Sequence, residues 1–433
     1  MPRLALTSAI LAASALSAAT AKPCVQFDAS WNLYAFGGSE DVMLGQNTTW
    51  GSPSPTTLTT SGRPPWTGNN TQCFLSQFNN AMYVLDADAS APSDIYVFNF
   101  DAKSWSKQST SSAPDLSTGT SILDHDTNVF FTLPAGASSA LYQLDLSTIT
   151  NAASGGAIAW EAVSSPNFQQ GQGEGVVMAE ASNHINFFNV PSNPAGSTSM
   201  FVIHYAYFQP EAVEYKTVNN AASNFPTQHG VAIPVPAGDN SAGDVMVFVP
   251  DDFSQTYVVT HWTSPSTAGQ TSDAPAGIQN YINSTQTLSA PTSQDVLASY
   301  AASDTALVQM DSQGALYYVT GAFGNGWQVP SGLAWEKSGY TLAGVTGSGG
   351  ASSSSAASGS MTASSSAATA SGVTTASRTA GASSASNGAS RTSSSAGSAA
   401  TTSPASGAAA ALGGVNGALL AGALACVGIA FAW

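Results

Sequence analysis

Between residues 22 and 346 the chain never sustains a hydrophobic pattern for longer than one short strand. Apolar and aromatic runs are cut off again and again by Gly, Pro, Asn, Asp or Ser. That punctuation leaves no room for long amphipathic helices and calls for many short β-strands. The clearest unit is Met82-Tyr83-Val84-Leu85, a polar turn at 86–93, the run from Ile95 to Phe100, and Trp105 after a tight turn. It reads as strand, loop, strand, turn and a further strand opened by tryptophan. Looser copies centre on Tyr142, Phe201, Met246 and Tyr317, following Tyr96 at intervals of 46, 59, 45 and 71 residues. Two intervals match the ~45–50-residue period of four-stranded propeller blades, and the others fit one blade with an inserted loop. The expected fold class is all-β: a single β-propeller of about six or seven blades over 22–346. One or two β-sandwiches are the competing architecture. No Pro- or Gly-rich linker divides the region, which favours a single ring.

The flanking segments have other compositions. Residues 1–21 read as a signal peptide, with Arg3, a short apolar run from Leu4 to Leu16, and Ala19-Thr20-Ala21 as the small-residue cleavage pattern. Residues 347–407 are a Ser/Thr/Ala/Gly-rich low-complexity stalk without an aromatic residue. Such a stretch buries too little apolar surface to offset its ordering entropy, so it is expected to be disordered and O-glycosylated. Residues 408–433 form an uncharged, Gly-rich apolar tail. A cluster of small residues before that tail is the pattern for glycosylphosphatidylinositol (GPI) attachment, with Ser403, Ser406 and Gly407 as candidate attachment residues. The competing reading is a membrane-spanning helix, which basic flanking residues would normally hold in place. The expected location is the cell surface, anchored to the outer plasma membrane or cell wall.

All 25 acidic residues fall within 22–346, against six basic ones, giving that region a net charge of −19. Such a surface repels nucleic acid and anionic lipid, so nucleic acid is not an expected partner. In an oxidising compartment Cys24 and Cys73 form one possible bridge, because Cys426 belongs to the tail. Asn47, Asn69 and Asn283 each begin an N-glycosylation sequon, all in polar stretches that read as loops.

Two segments carry a family resemblance. Trp31-Asn32-Leu33-Tyr34-Ala35-Phe36-Gly37-Gly38 and the stretch from Asp94 to Trp105 resemble blades of kelch-type propellers. In that family the Gly-Gly pair ends a strand and the aromatic packs between neighbouring blades. The resemblance implies a galactose-oxidase-type propeller head, and the whole layout resembles GPI-anchored wall proteins of fungi. A propeller of this kind would bring its termini together in one blade, with Cys24–Cys73 securing that closure.

Catalytic signals are sparse. His125, His184, His204, His229 and His261 show no metal-ligand spacing, and strand alternation over 201–208 would place His204 with Val202, Ala206 and Phe208 on a packed face. Asp86-Ala87-Asp88 begins like a calcium loop, but Ala91 and Val97 stand where Gly and a bidentate Glu are needed. Asp251-Asp252 closes a strand as a solvated pair. Glu40/Asp41 or Glu211/Glu214 could supply the acid/base pair that glycoside cleavage requires, but so could many other pairs among the 25 carboxylates. No Gly-x-Ser-x-Gly motif and no phosphate-binding Gly-Lys-Ser/Thr loop occurs. The expected function is a non-enzymatic cell-surface glycoprotein whose head binds glycan or another extracellular protein. No metal and no cofactor are expected. The alternatives are a glycan hydrolase with paired carboxylates and, from the kelch resemblance, a copper-radical oxidase.

Overall fold

The computed structural model describes residues 22–345, other than 59–60, 137–138, 169–174, 216–224, 227 and 262–281, and gives only the backbone at 282–284. The expected signal peptide, stalk and tail, with Ser403, Ser406 and Gly407, lie outside the described residues.

Six antiparallel sheets follow one another along the chain. Blade 1 is Cys24–Phe27, Leu33–Phe36, Val42–Gly45 and Thr56–Thr57; blade 2 is Gln72–Ser76, Ala81–Leu85, Ile95–Asn99 and Ser104–Gln108. Blade 3 is Thr120–Asp124, Val129–Leu133, Leu141–Asp145 and Glu161–Ser164. In blade 4, Val177–Ala181, His184–Phe188 and Ser197–Val202 are followed by two short pieces, Tyr207–Phe208 and Val213–Glu214, which both pair with the third strand. Blade 5 is Gly230–Val235, Val245–Pro250, Thr256–His261 and Ile282–Leu288; blade 6 is Ser299–Ala302, Ala306–Met310, Ala315–Thr320 and Glu336–Thr341. The first strand of each blade contacts the first strand of the next, and blade 6 returns to blade 1. The fold is a six-bladed β-propeller.

The sequence pattern explains why the sheets stack. Along Ala81–Leu85 the side chains of Ala81, Tyr83 and Leu85 pack toward blade 3, while Met82 and Val84 pack toward blade 1. Both faces are buried, so the strand reads as one apolar run instead of alternating with polar residues. Six hydrophobic clusters result, one in each gap between neighbouring blades. In the gap between blades 1 and 2, Trp105 lies 5.6 Å from Phe36 and 4.9 Å from Phe98, ring centre to ring centre. This is the inter-blade aromatic that the second kelch-like segment implied.

Two expectations about the ring change. The alignment on Tyr96, Tyr142, Phe201 and Tyr317 falls on third strands, but Met246 belongs to the second strand of blade 5. The slip arises because Val245–Pro250 is the more apolar of two adjacent strands. The termini also do not share a blade, since blades 1 and 6 are each built from one continuous stretch. The ring closes between them through Ser39 N donating to Ala343 O at 2.7 Å and Ser338 Oγ donating to Trp50 O at 2.6 Å. Gly37 has a φ of +94°, and a Cβ on Gly38 would lie 2.4 Å from Ala343 O. The Gly-Gly pair therefore serves ring closure as well as ending its strand. The Cys24–Cys73 disulfide, with Cα atoms 6.2 Å apart, instead ties the innermost strands of blades 1 and 2 together.

Candidate functional site

The innermost strands all run in the same direction, from a front face where they begin to a back face where they end. Five large hydrophobic side chains are clearly exposed among the described residues: Phe78, Tyr205, Tyr207, Val296 and Leu297. Two of them line a cleft on blade 4, and two line the axial cavity, whereas Phe78 lies in neither.

The blade 4 cleft arises from a turn that strand alternation does not foresee. Ser197–Val202 ends before His204, residues Ile203–Tyr205 form a single 3-10 turn, and Ala206 adopts a left-handed backbone with φ 47°. The chain then reverses, pairing Phe201 with Phe208 and Val202 with Tyr207. His204 is thus exposed and not packed in a core, and Tyr205 and Tyr207 are 82% and 50% exposed. Together with Asn183, His184, Gln209 and Glu211 they line a cavity of ≈ 660 Å³. His184 Nδ1 lies 2.7 Å from Ser182 O, which fixes that nitrogen as the donor. Burial lowers the pKa of His184, with the His204 charge adding to the effect, so its ring stays neutral. Behind it His261 is fully buried, 4.9 Å away ring to ring, and burial holds it neutral as well. The cleft therefore combines two exposed aromatic rings with neutral polar side chains and one exposed carboxylate, Glu211.

The axial cavity has a volume of ≈ 420 Å³. At its front end Lys22 faces Asp295 and Asp251, and burial lowers the lysine to about 8. His229 pairs with Asp251 at 2.7 Å, so Asp251 is not simply a solvated carboxylate, whereas Asp252 is exposed. Toward the back, Glu180 lines the cavity. Burial, and then the charge of Asp124 beside it, push Glu180 well above the usual carboxylate range. Asp124 Oδ1 is buried without an ordinary donor, and a protonated Glu180 supplies one. Fifty-six residues separate the two acids in sequence. Only the adjacency of blades 3 and 4 brings them together, so no local signal could have found the pair.

The pairs singled out in sequence have other places. Asp41 is fully buried and held by Arg63 at 2.9 Å, while Glu40 accepts from Thr57. Glu211 lines the cleft, and Glu214 lies on the short strand Val213–Glu214. Asp86 accepts the backbone N–H groups of Asn69 and Asn70, and Asp88 accepts from Ser90 and Tyr96, so the calcium-like loop is a hairpin loop whose carboxylates already have protein donors. Among the described residues no three His, Cys, Asp or Glu side chains are grouped to hold a metal ion. The disulfide uses both head cysteines, leaving none for the thioether that copper-radical oxidases build from Cys and Tyr. Asn47 and Asn69 are exposed, the first in a 3-10 turn and the second in a loop. Asn283 differs from expectation, lying on the outer strand of blade 5 instead of in a loop.

No protein-family model and no curated protein sequence matches this chain. Among solved structures, a streptogramin B lyase structure is similar at a TM-score of 0.37 and 11% identity, covering 75% of this chain and 84% of that one. A nidogen/laminin complex structure is similar at a TM-score of 0.33 and 9% identity, covering 56% of this chain and 76% of that one. Likenesses this distant say nothing about what this chain binds.

Proposed function

We propose that this protein is an exported, GPI-anchored cell-surface glycoprotein of the kelch-like layout, whose propeller head binds glycan through the blade 4 cleft. The observation that carries the reading is the exposed pair Tyr205 and Tyr207 in a ≈ 660 Å³ cavity edged by Asn183, His184, Gln209 and Glu211. Sugar rings present C–H faces that pack on the negative face of an aromatic ring, while their hydroxyls seek fixed donors and acceptors. Asn183, Gln209 and Glu211 supply those partners. The head's net charge of −19 favours neutral glycans over acidic ones.

Glycan-array binding of the secreted head should select neutral oligosaccharides. Tyr205→Ala or Tyr207→Ala should weaken binding roughly tenfold each, about 1.4 kcal/mol. Unchanged affinity in both variants would refute the cleft. The anchor is tested separately: phosphatidylinositol-specific phospholipase C should release the protein from membranes, and retention of residues 415–433 in the mature chain would contradict it. A cleaving enzyme is less well supported by the acid pair. Glu180 lines the axial cavity but Asp124 does not, so the two carboxyls do not flank a bond in a bound guest.

A further inference from the structure

Two acids meet at the inner edge of the seam between blades 3 and 4. Asp124 ends the strand Thr120–Asp124, and Glu180 lies one residue from the end of Val177–Ala181, the innermost strands of the two blades. Toward the front, Met178 N donates to Thr120 Oγ1 at 3.2 Å, and the seam is filled by Ile122, Met178 and Ile185. At the back the apolar side chains give way to the acid pair, with Glu180 7% and Asp124 1% exposed.

The donors around the pair are unequal. Asp124 Oδ2 accepts from Thr127 N at 3.1 Å and from Thr127 Oγ1, whereas Oδ1 is buried with no ordinary donor. Glu180 accepts the backbone N–H of His125 and lies within hydrogen-bond reach of Asp124. Two ionised carboxyls placed so would set acceptor against acceptor, while one proton on Glu180 makes the contact a charge-assisted hydrogen bond. The charges acting on Glu180 are those of Asp124 and, more weakly, Asp126, both negative. Asp126 itself pairs with His125 Nδ1 at 2.9 Å. On blade 4 the neighbouring His184 is held neutral by burial. From blade 5, Gly230–Val235 brings no titratable side chain. The nine-residue loop 236–244, which also takes Gln77 Nε2 on Ala237 O at 2.8 Å, brings Asp239 in solvent and Asp244 accepting from Ser182 Oγ. Glu180 lines the axial cavity, so water there gives its proton a way out.

We infer that Glu180 and Asp124 form a proton-operated latch on the ring: one shared proton holds blades 3 and 4 together at their inner edge, and its loss drives them apart. Burial, and then the Asp124 charge, let folded Glu180 keep its proton well above the ordinary value of 4.5, at which the unfolded chain releases it. The stability that the pair contributes is therefore full below that value and is lost as pH rises toward the folded-state value. An acidic exterior closes the latch, and an alkaline one loosens it.

Glu180→Gln is the reference variant. Its amide donates to Asp124 and its carbonyl accepts from His125, so it keeps the latch closed at every pH. The head has only seven glutamates, few enough for carboxyl-¹³C glutamate labelling to follow them by NMR. One signal, missing from Glu180→Gln, should still be that of a protonated acid at pH 7. In urea unfolding from pH 5 to pH 9, the folding equilibrium constant of the wild type should fall relative to Glu180→Gln by about tenfold per pH unit, the linkage of a single proton, until that signal titrates. His125 and the other acids are common to both proteins and cancel in the comparison. Asp124→Asn should make the Glu180 signal titrate at lower pH, because the amide offers ionised Glu180 a donor in place of a charge. A Glu180 signal already ionised at pH 7, or a wild-type to Glu180→Gln ratio that does not change with pH, would overturn the latch. So would a Glu180 titration unmoved by Asp124→Asn, which would leave burial alone holding the proton.

Discussion

Arg63→Met should destabilise the head by about 3–5 kcal/mol at pH 7, because it strands a carboxylate at a blade junction. Asp41 is buried with no exposed side-chain surface. It accepts from Arg63 Nε at 3.0 Å, from Trp105 Nε1 at 3.2 Å and from Gly37 N at 3.3 Å. Burial raises the Asp41 pKa, and the Arg63 charge is the largest influence opposing that rise. With Arg63 gone, the carboxyl rises further above its unfolded value. A raised carboxyl favours the protonated form in the folded state, so the deficit is greatest at neutral pH and shrinks as pH falls toward the new folded-state pKa. Thermal melts from pH 7 to pH 4 should therefore show the variant converging on the wild type. A constant offset would mean that lost packing, and not the stranded charge, sets the cost. At pH 7 the melting temperature should fall by about 4–7 °C for a head of this size.

Removing the disulfide as Cys24→Ser with Cys73→Ser should cost about 4 kcal/mol from loop-closure entropy alone, since the bridge spans 49 residues. The corresponding drop in melting temperature is about 6 °C. Location in the fold sharpens the expectation. The bridge joins the first strands of blades 1 and 2, so hydrogen exchange should rise first in Cys24–Phe27 and Gln72–Ser76 and leave the blade 6 strands protected. A loss of protection centred on the seam between blades 1 and 6 would instead mean that the bridge acts through ring closure. Non-reducing peptide mapping of the wild type checks the pairing itself.

How far the sequence could be read depends on how local each signal is. The blade at 81–108 is legible because its turns carry Asp, Pro and Ser and both strand faces are apolar, a pattern complete within 30 residues. Gly37-Gly38 was legible as a strand end, but its packing on Ala343 was not, since that contact joins opposite ends of the domain. Tyr205 and Tyr207 were misplaced on one long strand because the reversal at 203–206 contains no Gly, Pro, Asn or Asp. An alanine in the left-handed region marks the turn, and sequence gives no warning of it. The partnership of Glu180 with Asp124, and the reach of Gln77 to Ala237, exist only because the ring closes. Composition alone could not choose between faces of the propeller.

A crystal structure of the head with an array-selected oligosaccharide tests the proposed glycan binding at the blade 4 cleft. The expected result is a sugar ring stacked on Tyr205 or Tyr207, with its hydroxyls bonded to Gln209 or Glu211. Oligosaccharide bound in the axial cavity or on another blade, with the cleft empty, would contradict it.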